Sequence, residues 1–185
     1  MGRPIDMGAD GAGSIWPGAL FVLTCLSSIS PVRCAPDAAS QMQLLLDFQQ
    51  AWGQTFAGWV AGGRCSSAAH VKCDAQGMVT SIDLDSRGLT GSISSTIGSM
   101  ASLTDLDLYK NNLTGSIPAG ITKLHKLCYL SLGRNALTGS IPATIGNMSS
   151  LTYLYLGYNG LTGSIPSTIS SLISLTQLSV SWEWE

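Results

Sequence analysis

Charge and histidine are both scarce in this chain of 185 residues. Lysine and arginine number 9 and aspartate and glutamate 11, so that 11% of the residues are charged and the net charge is −2. Nucleic-acid-binding domains carry a basic patch or stripe, and its lack here argues against nucleic acid as a partner. The two histidines, His70 and His125, do not stand in a Ser–His–Asp or Cys–His arrangement that would support nucleophilic catalysis.

Long apolar runs are also missing. The run ALFVLTCL at 19–26 is much shorter than the roughly 20 residues that span a bilayer, so no membrane span is predicted. We interpret residues 1–34 as a secretory signal with this run at its centre and cleavage near Cys34. Asp6 and Asp10 stand where a signal normally carries positive charge, so a disordered or misassigned N-terminus stays open as the alternative.

Cysteine occurs at only five positions. Cys25 and Cys34 fall within the predicted signal. Cys65 and Cys73 lie close together and suit a disulfide in an oxidising compartment, which leaves Cys128 as a free thiol. A zinc site built from the close pair and the histidine between them lacks a fourth ligand, so no metal is predicted.

One phrase returns at a fixed interval in the second half of the chain. NNLTGSIP, NALTGSIP and NGLTGSIP begin at Asn111, Asn135 and Asn159, each 24 residues after the last. Counted from Val79 as position 1, apolar residues recur at positions 1, 4, 6, 11, 15, 19 and 22, a pattern in the range of leucine-rich repeats. The predicted divisions are a signal at 1–34, an N-terminal cap at 35–78, four repeats at 79–174 and a partial fifth at 175–185.

The start of each repeat predicts a strand with one buried face. Leu106 and Leu108, for example, alternate with Asp105, Asp107 and Tyr109. Strands stacked in parallel bury the leucines of each repeat against its neighbours, so that no repeat folds alone. We therefore predict an α/β fold, a right-handed leucine-rich-repeat solenoid with parallel strands on the concave face, a helical N-terminal cap and no C-terminal cap.

The cap is predicted to contain one amphipathic helix within DAASQMQLLLDFQQAWG. Ser40 has the spacing of an N-cap residue in a capping box. Leu44, Phe48 and Trp52 recur at intervals of four and predict its apolar stripe, and Gly53 is a stop signal.

The asparagines that close the strands are predicted to form a structural ladder. A polar side chain in an apolar core must be hydrogen-bonded, and stacked amides can pair with the backbone of adjacent turns. The repeated phrase is therefore structural, and function lies in the columns that vary. The ladder residues are Asn111, Asn135 and Asn159.

The repeat LxxLxLxxNxLTGxIPxxIxxLxx resembles the plant-type leucine-rich repeat of receptor-like kinase ectodomains and polygalacturonase-inhibiting proteins. Residues 37–84 resemble the N-terminal cap of the same proteins, with an LLxF helix, Trp59, the close pair Cys65 and Cys73, and a strand that here reads VTSIDL. The family usually places Trp and Gly between these cysteines, where this chain has SSAAHVK. Its longer members continue to a C-terminal cap, a membrane span and often a kinase, so we expect a truncated chain whose end at Trp182 leaves a repeat uncovered.

The outward positions of the predicted sheet, 3, 5, 7 and 8 of each repeat, form the candidate binding surface. Aspartates cluster at its N-terminal end and tyrosines dominate from the third repeat, which suits a peptide or protein with a basic segment and apolar anchors. The alternative is that strand surfaces simply tolerate both residue types. The candidate residues are Asp83, Asp85, Asp105, Asp107, Tyr109, Tyr129, Arg134, Tyr153, Tyr155 and Tyr158.

Two other chemistries suit the aspartates less well. Paired carboxylates can hydrolyse glycosides, but an open sheet has no cleft that excludes water or shifts a pKa. Calcium would lack carbonyl ligands on a sheet face. Asn112 and Asn147 stand in Asn-x-Ser/Thr sequons and are predicted glycosylation sites outside the sheet.

The resemblance implies an extracellular recognition module, in the apoplast or at the cell surface, that binds a peptide or protein on its concave face. A receptor kinase is one candidate partner. No catalysis and no cofactor are expected. Two alternatives stay open, an inhibitor of a cell-wall hydrolase and a truncated receptor fragment without independent function.

Overall fold

The computed structural model describes residues 38–61 and 63–180. The predicted signal at 1–34 and the tryptophans near the C-terminus lie outside the described residues. The helix α1 spans Ala38–Ala51, and short 3-10 helices span Cys65–Ser67, Ser95–Ser99, Ala119–Lys123, Ala143–Asn147 and Ser167–Ser171. The strands are β1 Val71–Cys73, β2 Val79–Asp83, β3 Asp105–Asp107, β4 Thr114–Ser116, β5 Tyr129–Ser131, β6 Ala136–Gly139, β7 Tyr153–Tyr155, β8 Gly160–Leu161 and β9 Gln177–Ser179.

The larger sheet contains one strand from each repeat. Its order is β1-β2-β3-β5-β7-β9, in which β1 is antiparallel to β2 and all later pairs are parallel. The register advances by one repeat at each step, from Ser81 to Asp105, Tyr129, Tyr153 and Gln177. The predicted stack of parallel strands is thus confirmed, and equivalent positions of successive repeats lie side by side. A smaller sheet, β4-β6-β8, is formed by short segments of the repeated phrase, which read TGS, ALTG and GL.

The core is a column of leucines, isoleucines and methionines between these strands and the 3-10 helices. Every predicted inward position of the first three repeats is buried, and Leu106 and Leu130 are 0% exposed. Burial weakens in the last described turn, where Ile165 is 40% and Leu178 is 42% exposed. Each repeat is covered by the next one, so the last described strand has a neighbour on one side among the described residues.

The cap helix differs from its prediction in two respects. It includes Ala38, so Ser40 lies in its first turn and not at the N-cap, because the preceding alanines favour helix. Its most buried apolar residues are Met42, Leu45 and Phe48, with Trp52 buried directly after its end, whereas Leu44 is only partly buried. Three consecutive leucines left the sequence pattern ambiguous about which of them faces the core.

Backbone contacts join the cap to the first repeat. The Trp52 carbonyl accepts a hydrogen bond from the amide of Thr90 at 3.2 Å. Gly91, with φ of 78°, approaches Ala51 so closely that a Cβ would overlap the Ala51 carbonyl.

A disulfide joins Cys65 to Cys73. Within 38–61 and 63–180, no helix has the length and apolar character needed to cross a membrane.

Candidate binding groove on the larger sheet

The asparagine ladder fixes the end of each strand next to the candidate site. Asn135 Nδ2 donates to the carbonyls of Leu108, 2.9 Å away in the preceding repeat, and of Leu132, 3.1 Å away in its own. Its Oδ1 accepts the Leu113 amide at 3.0 Å. Asn159 repeats this pattern one repeat later. These bonds connect neighbouring repeats and hold the turn at position 8.

Position 8 itself has a left-handed backbone in all four repeats, although no glycine stands there. The φ values are 56° at Ser86, 52° at Lys110, 52° at Arg134 and 57° at Tyr158. Because L-residues lose roughly 1–2 kcal/mol in this conformation, the turn depends on the bonds around it. It brings variable side chains to the edge of the sheet.

A groove of about 320 Å³ lies on the outer face of the larger sheet, which is the solvent-facing side formed by the outward positions and predicted to be concave. Its floor is formed by Gly133 and Gly157, which occupy position 7 of the third and fourth repeats. The second repeat has Tyr109 at this position. Two missing side chains in one column therefore create the depression. The residues that line it are Asp85, Asp107, Tyr109, Tyr129, Ser131, Gly133, Tyr155, Gly157, Tyr158 and Ser179.

Tyrosine rings form the walls of the groove. A Cβ built on Gly133 would lie 3.4 Å from two ring carbons of Tyr109, so that this ring packs directly beside the glycine. The Tyr129 ring centre lies 6.0 Å from that of Tyr153 and 6.1 Å from that of Tyr155, with the rings tilted by 44° and 47°. Tilted pairs at this distance are favourable for aromatic rings and hold the walls in place.

Asp107 is the carboxylate of the groove whose two oxygens both accept a hydrogen bond from the protein. Its Oδ1 accepts the Tyr109 amide at 3.0 Å, and its Oδ2 accepts the Tyr129 hydroxyl at 3.2 Å. Burial raises the pKa of the Tyr129 phenol above its ordinary value, and the negative charge of Asp107 raises it further. The phenol therefore stays protonated and donates to the carboxylate.

Six of the ten predicted binding residues line the groove. Asp83, Asp105, Tyr153 and Arg134 lie on the same outward columns but are not part of its lining. The Arg134 guanidinium stacks over the Tyr158 ring, 4.7 Å from its centre, at the rim. The other lining residues are small ones on the predicted outward positions that were not among the ten candidates: Ser131, Gly133, Gly157 and Ser179.

The remaining predicted positions lie away from the groove. Asn112 and Asn147 are exposed and lie outside the larger sheet, and Asn147 belongs to a 3-10 helix. Cys128 is a free thiol. No group of three or more His, Cys, Asp or Glu side chains among the described residues could hold a metal ion.

The register of 24 residues and the buried asparagines define a leucine-rich-repeat protein, and two family models agree. One, described as "Leucine rich repeat", matches residues 129–183, and the other, "Leucine Rich Repeat", matches residues 102–124. The sequence has no significant match among curated proteins.

Solved structures of plant receptors share the fold. The LRR ectodomain of the Arabidopsis thaliana receptor kinase GASSHO1/SCHENGEN3, in complex with CASPARIAN STRIP INTEGRITY FACTOR 2, is 34% identical over 76% of this chain, with a TM-score of 0.72. The Arabidopsis thaliana BIR3–SERK2 complex contains a chain 32% identical over 74% of this one and 78% of its own length, with a TM-score of 0.67. The plant peptide hormone receptor RGFR1, in complex with RGF2, is 36% identical over 55% of this chain and 16% of its own, with a TM-score of 0.54.

The chain therefore belongs to the plant-type leucine-rich-repeat proteins, as its sequence predicted. It spans 18% of the GASSHO1/SCHENGEN3 chain. Leucine-rich-repeat arrays of this kind are ligand-recognition modules and are typically not enzymes.

Proposed function

We propose that this chain is an extracellular recognition module that binds a peptide, or an extended segment of a protein, along the outer face of its larger sheet. The observation that carries the proposal is the groove, in which tyrosine side chains line the walls beside two carboxylates, one on β3 and one just after β2, and these strands have a fixed register. Tyrosine offers apolar area with a polar tip at low entropic cost, which is why it is frequent at binding hot spots.

The comparisons support this type of ligand. RGFR1 is by its description a peptide hormone receptor, and the GASSHO1/SCHENGEN3 ectodomain is complexed with a second factor. In the BIR3–SERK2 complex a similar chain is assembled with a second protein, which supports a protein as a further partner. An extracellular location fits the ectodomain relatives and the Cys65–Cys73 disulfide, because disulfides persist in oxidising compartments.

The test uses a displayed library of random linear peptides as the probe and the full chain as bait. Replacing both Tyr153 and Tyr155 by alanine should abolish binding of the selected peptides, because it removes two neighbouring rings from the tyrosine cluster. Ile173→Ala is the control, since Ile173 is 89% exposed and lies outside the groove lining. Thermal unfolding should show that all three proteins are folded at the temperature of the binding assay, although the double variant loses two ring contacts. Selected peptides that bind the double variant as well as the parent would contradict the proposal.

A further inference from the structure

The shape of the groove limits what can enter it. Its floor is backbone, because Gly133 and Gly157 carry no side chain, and its volume of about 320 Å³ is at the lower end of typical ligand pockets. Tyr109 stands at one end of this glycine column, and Tyr129, Tyr155 and Tyr158 also line the depression. The space therefore suits one long or flat side chain of a ligand, while the rest of the ligand lies over the sheet.

The charge of the groove indicates a cation. Asp85 and Asp107 both line it, and no lysine or arginine is among the described residues of its lining. An aromatic face attracts a cation through its quadrupole, by about 0.5–2 kcal/mol depending on desolvation. Arg134, stacked on Tyr158 with 4.7 Å between guanidinium carbon and ring centre, already shows this contact at the rim.

The hydrogen bonds of Asp107 favour a guanidinium over an ammonium. Each carboxylate oxygen accepts one protein bond, from the Tyr109 amide at 3.0 Å and from the Tyr129 hydroxyl at 3.2 Å, and each retains capacity for another. A carboxylate held by both oxygens offers a fixed pair of acceptors, which the planar fork of arginine can bind in bidentate fashion while its face stacks on tyrosine.

We propose that the groove is a socket for a single arginine side chain of the peptide ligand, with Gly133 and Gly157 as its floor and Asp107 as its anion. This inference rests on the proposed function, since it names the group that the sheet face recognises. It makes the two glycines specificity determinants, because any larger residue in their column would occupy the socket.

The probe that tests the socket is the capped tripeptide acetyl-Gly-Arg-Gly-amide at millimolar concentration, with citrulline and lysine versions as controls. Citrulline keeps the shape of arginine and removes its charge. Amide chemical shifts of Gly133 and Gly157 in the full chain should move with the arginine probe. We expect binding at least tenfold weaker with citrulline, and weaker binding with lysine than with arginine.

A matched pair of variants separates the socket from a general effect of charge. Asp107→Asn should weaken binding of the arginine probe at least tenfold. Asp47→Asn removes the same charge from the exposed side of α1, outside the groove lining, and should change it less than twofold. Equal effects of the two variants, or equal binding of arginine and citrulline, would overturn the socket.

The two proposals fail separately. Library peptides that need Tyr153 and Tyr155 but bind unchanged when their arginines become citrulline would overturn the socket and leave the peptide-binding face intact. Library peptides that bind independently of both tyrosines would overturn the face as proposed, whatever the tripeptide does.

Discussion

The asparagine ladder makes a prediction about stability, because its members are not equivalent. Asn111 is the first, since the first repeat has Arg87 in the same column. Its Nδ2 group is the side-chain partner of the Leu84 carbonyl, at 2.9 Å, and its Oδ1 accepts the amides of Arg87 and Leu89, both at 3.0 Å. Replacing Asn111 by alanine therefore leaves several buried or part-buried backbone groups without this partner.

Asn135 shares more of its partners with its neighbours. The carbonyl of Leu108 also accepts a hydrogen bond from Asn111 Nδ2, at 3.0 Å. The carbonyl of Leu132 likewise accepts one from Asn159 Nδ2, at 2.9 Å. Loss of Asn135 therefore leaves chiefly the Leu113 amide unpaired. An unsatisfied buried group costs about 1–3 kcal/mol, so we expect about 2 kcal/mol for Asn135→Ala and about 4 kcal/mol for Asn111→Ala.

Urea unfolding of the full chain, produced without N-glycans, measures this difference. Asn112→Ala is the matched control, because Asn112 is exposed and its side chain is not part of the ladder. It should change the free energy of unfolding by less than about 0.5 kcal/mol. Equal losses for Asn111→Ala and Asn135→Ala would refute the reasoning from shared carbonyls.

Two further predictions concern the cap and the groove. Gly88→Ala should lower the free energy of unfolding by about 1 kcal/mol, because Gly88 has a left-handed backbone but open space around its Cα. Gly91→Ala should lower it by about 3 kcal/mol, because the new Cβ would also overlap the Ala51 carbonyl. Equal melting temperatures of the two variants would contradict this prediction. The raised pKa of Tyr129 means that the folded chain holds this proton more tightly than the unfolded chain. The corresponding stability is complete below the ordinary tyrosine pKa of 10.0 and is lost as pH rises through the higher folded value. Tyr129→Phe should show a smaller loss of stability in alkaline urea titrations, and an unchanged slope would argue against a raised pKa.

Periodicity predicted the repeats well, because a strand with one buried face repeats its pattern in every turn of the solenoid. Leu106 and Leu130 occupy equivalent buried positions, and the sequence alone identifies both. The orientation of the cap helix was predicted less well, because Leu44, Leu45 and Leu46 are all apolar and packing against the first repeat selects Leu45.

The groove was not predicted, although most of its wall was. The predicted site residues are side chains that carry chemistry, whereas this depression results from side chains that are absent. The signal was nevertheless present, as Gly133 and Gly157 stand 24 residues apart in an outward column. The Tyr129–Asp107 hydrogen bond was also beyond the pattern, since it depends on side-chain rotamers on neighbouring strands.

The constant register between strands has a consequence for how such a site evolves. Leu106, Leu130 and Leu154 are side by side and interchangeable in the core, so the loss of one whole repeat by recombination would rejoin a chain that still packs. The outer face would not survive in the same way. Removing residues 127–150 would place Tyr109 next to Gly157 and delete half of the groove floor. A change in repeat number can thus alter which ligand the sheet binds in one genetic event, while the packing of the core stays the same.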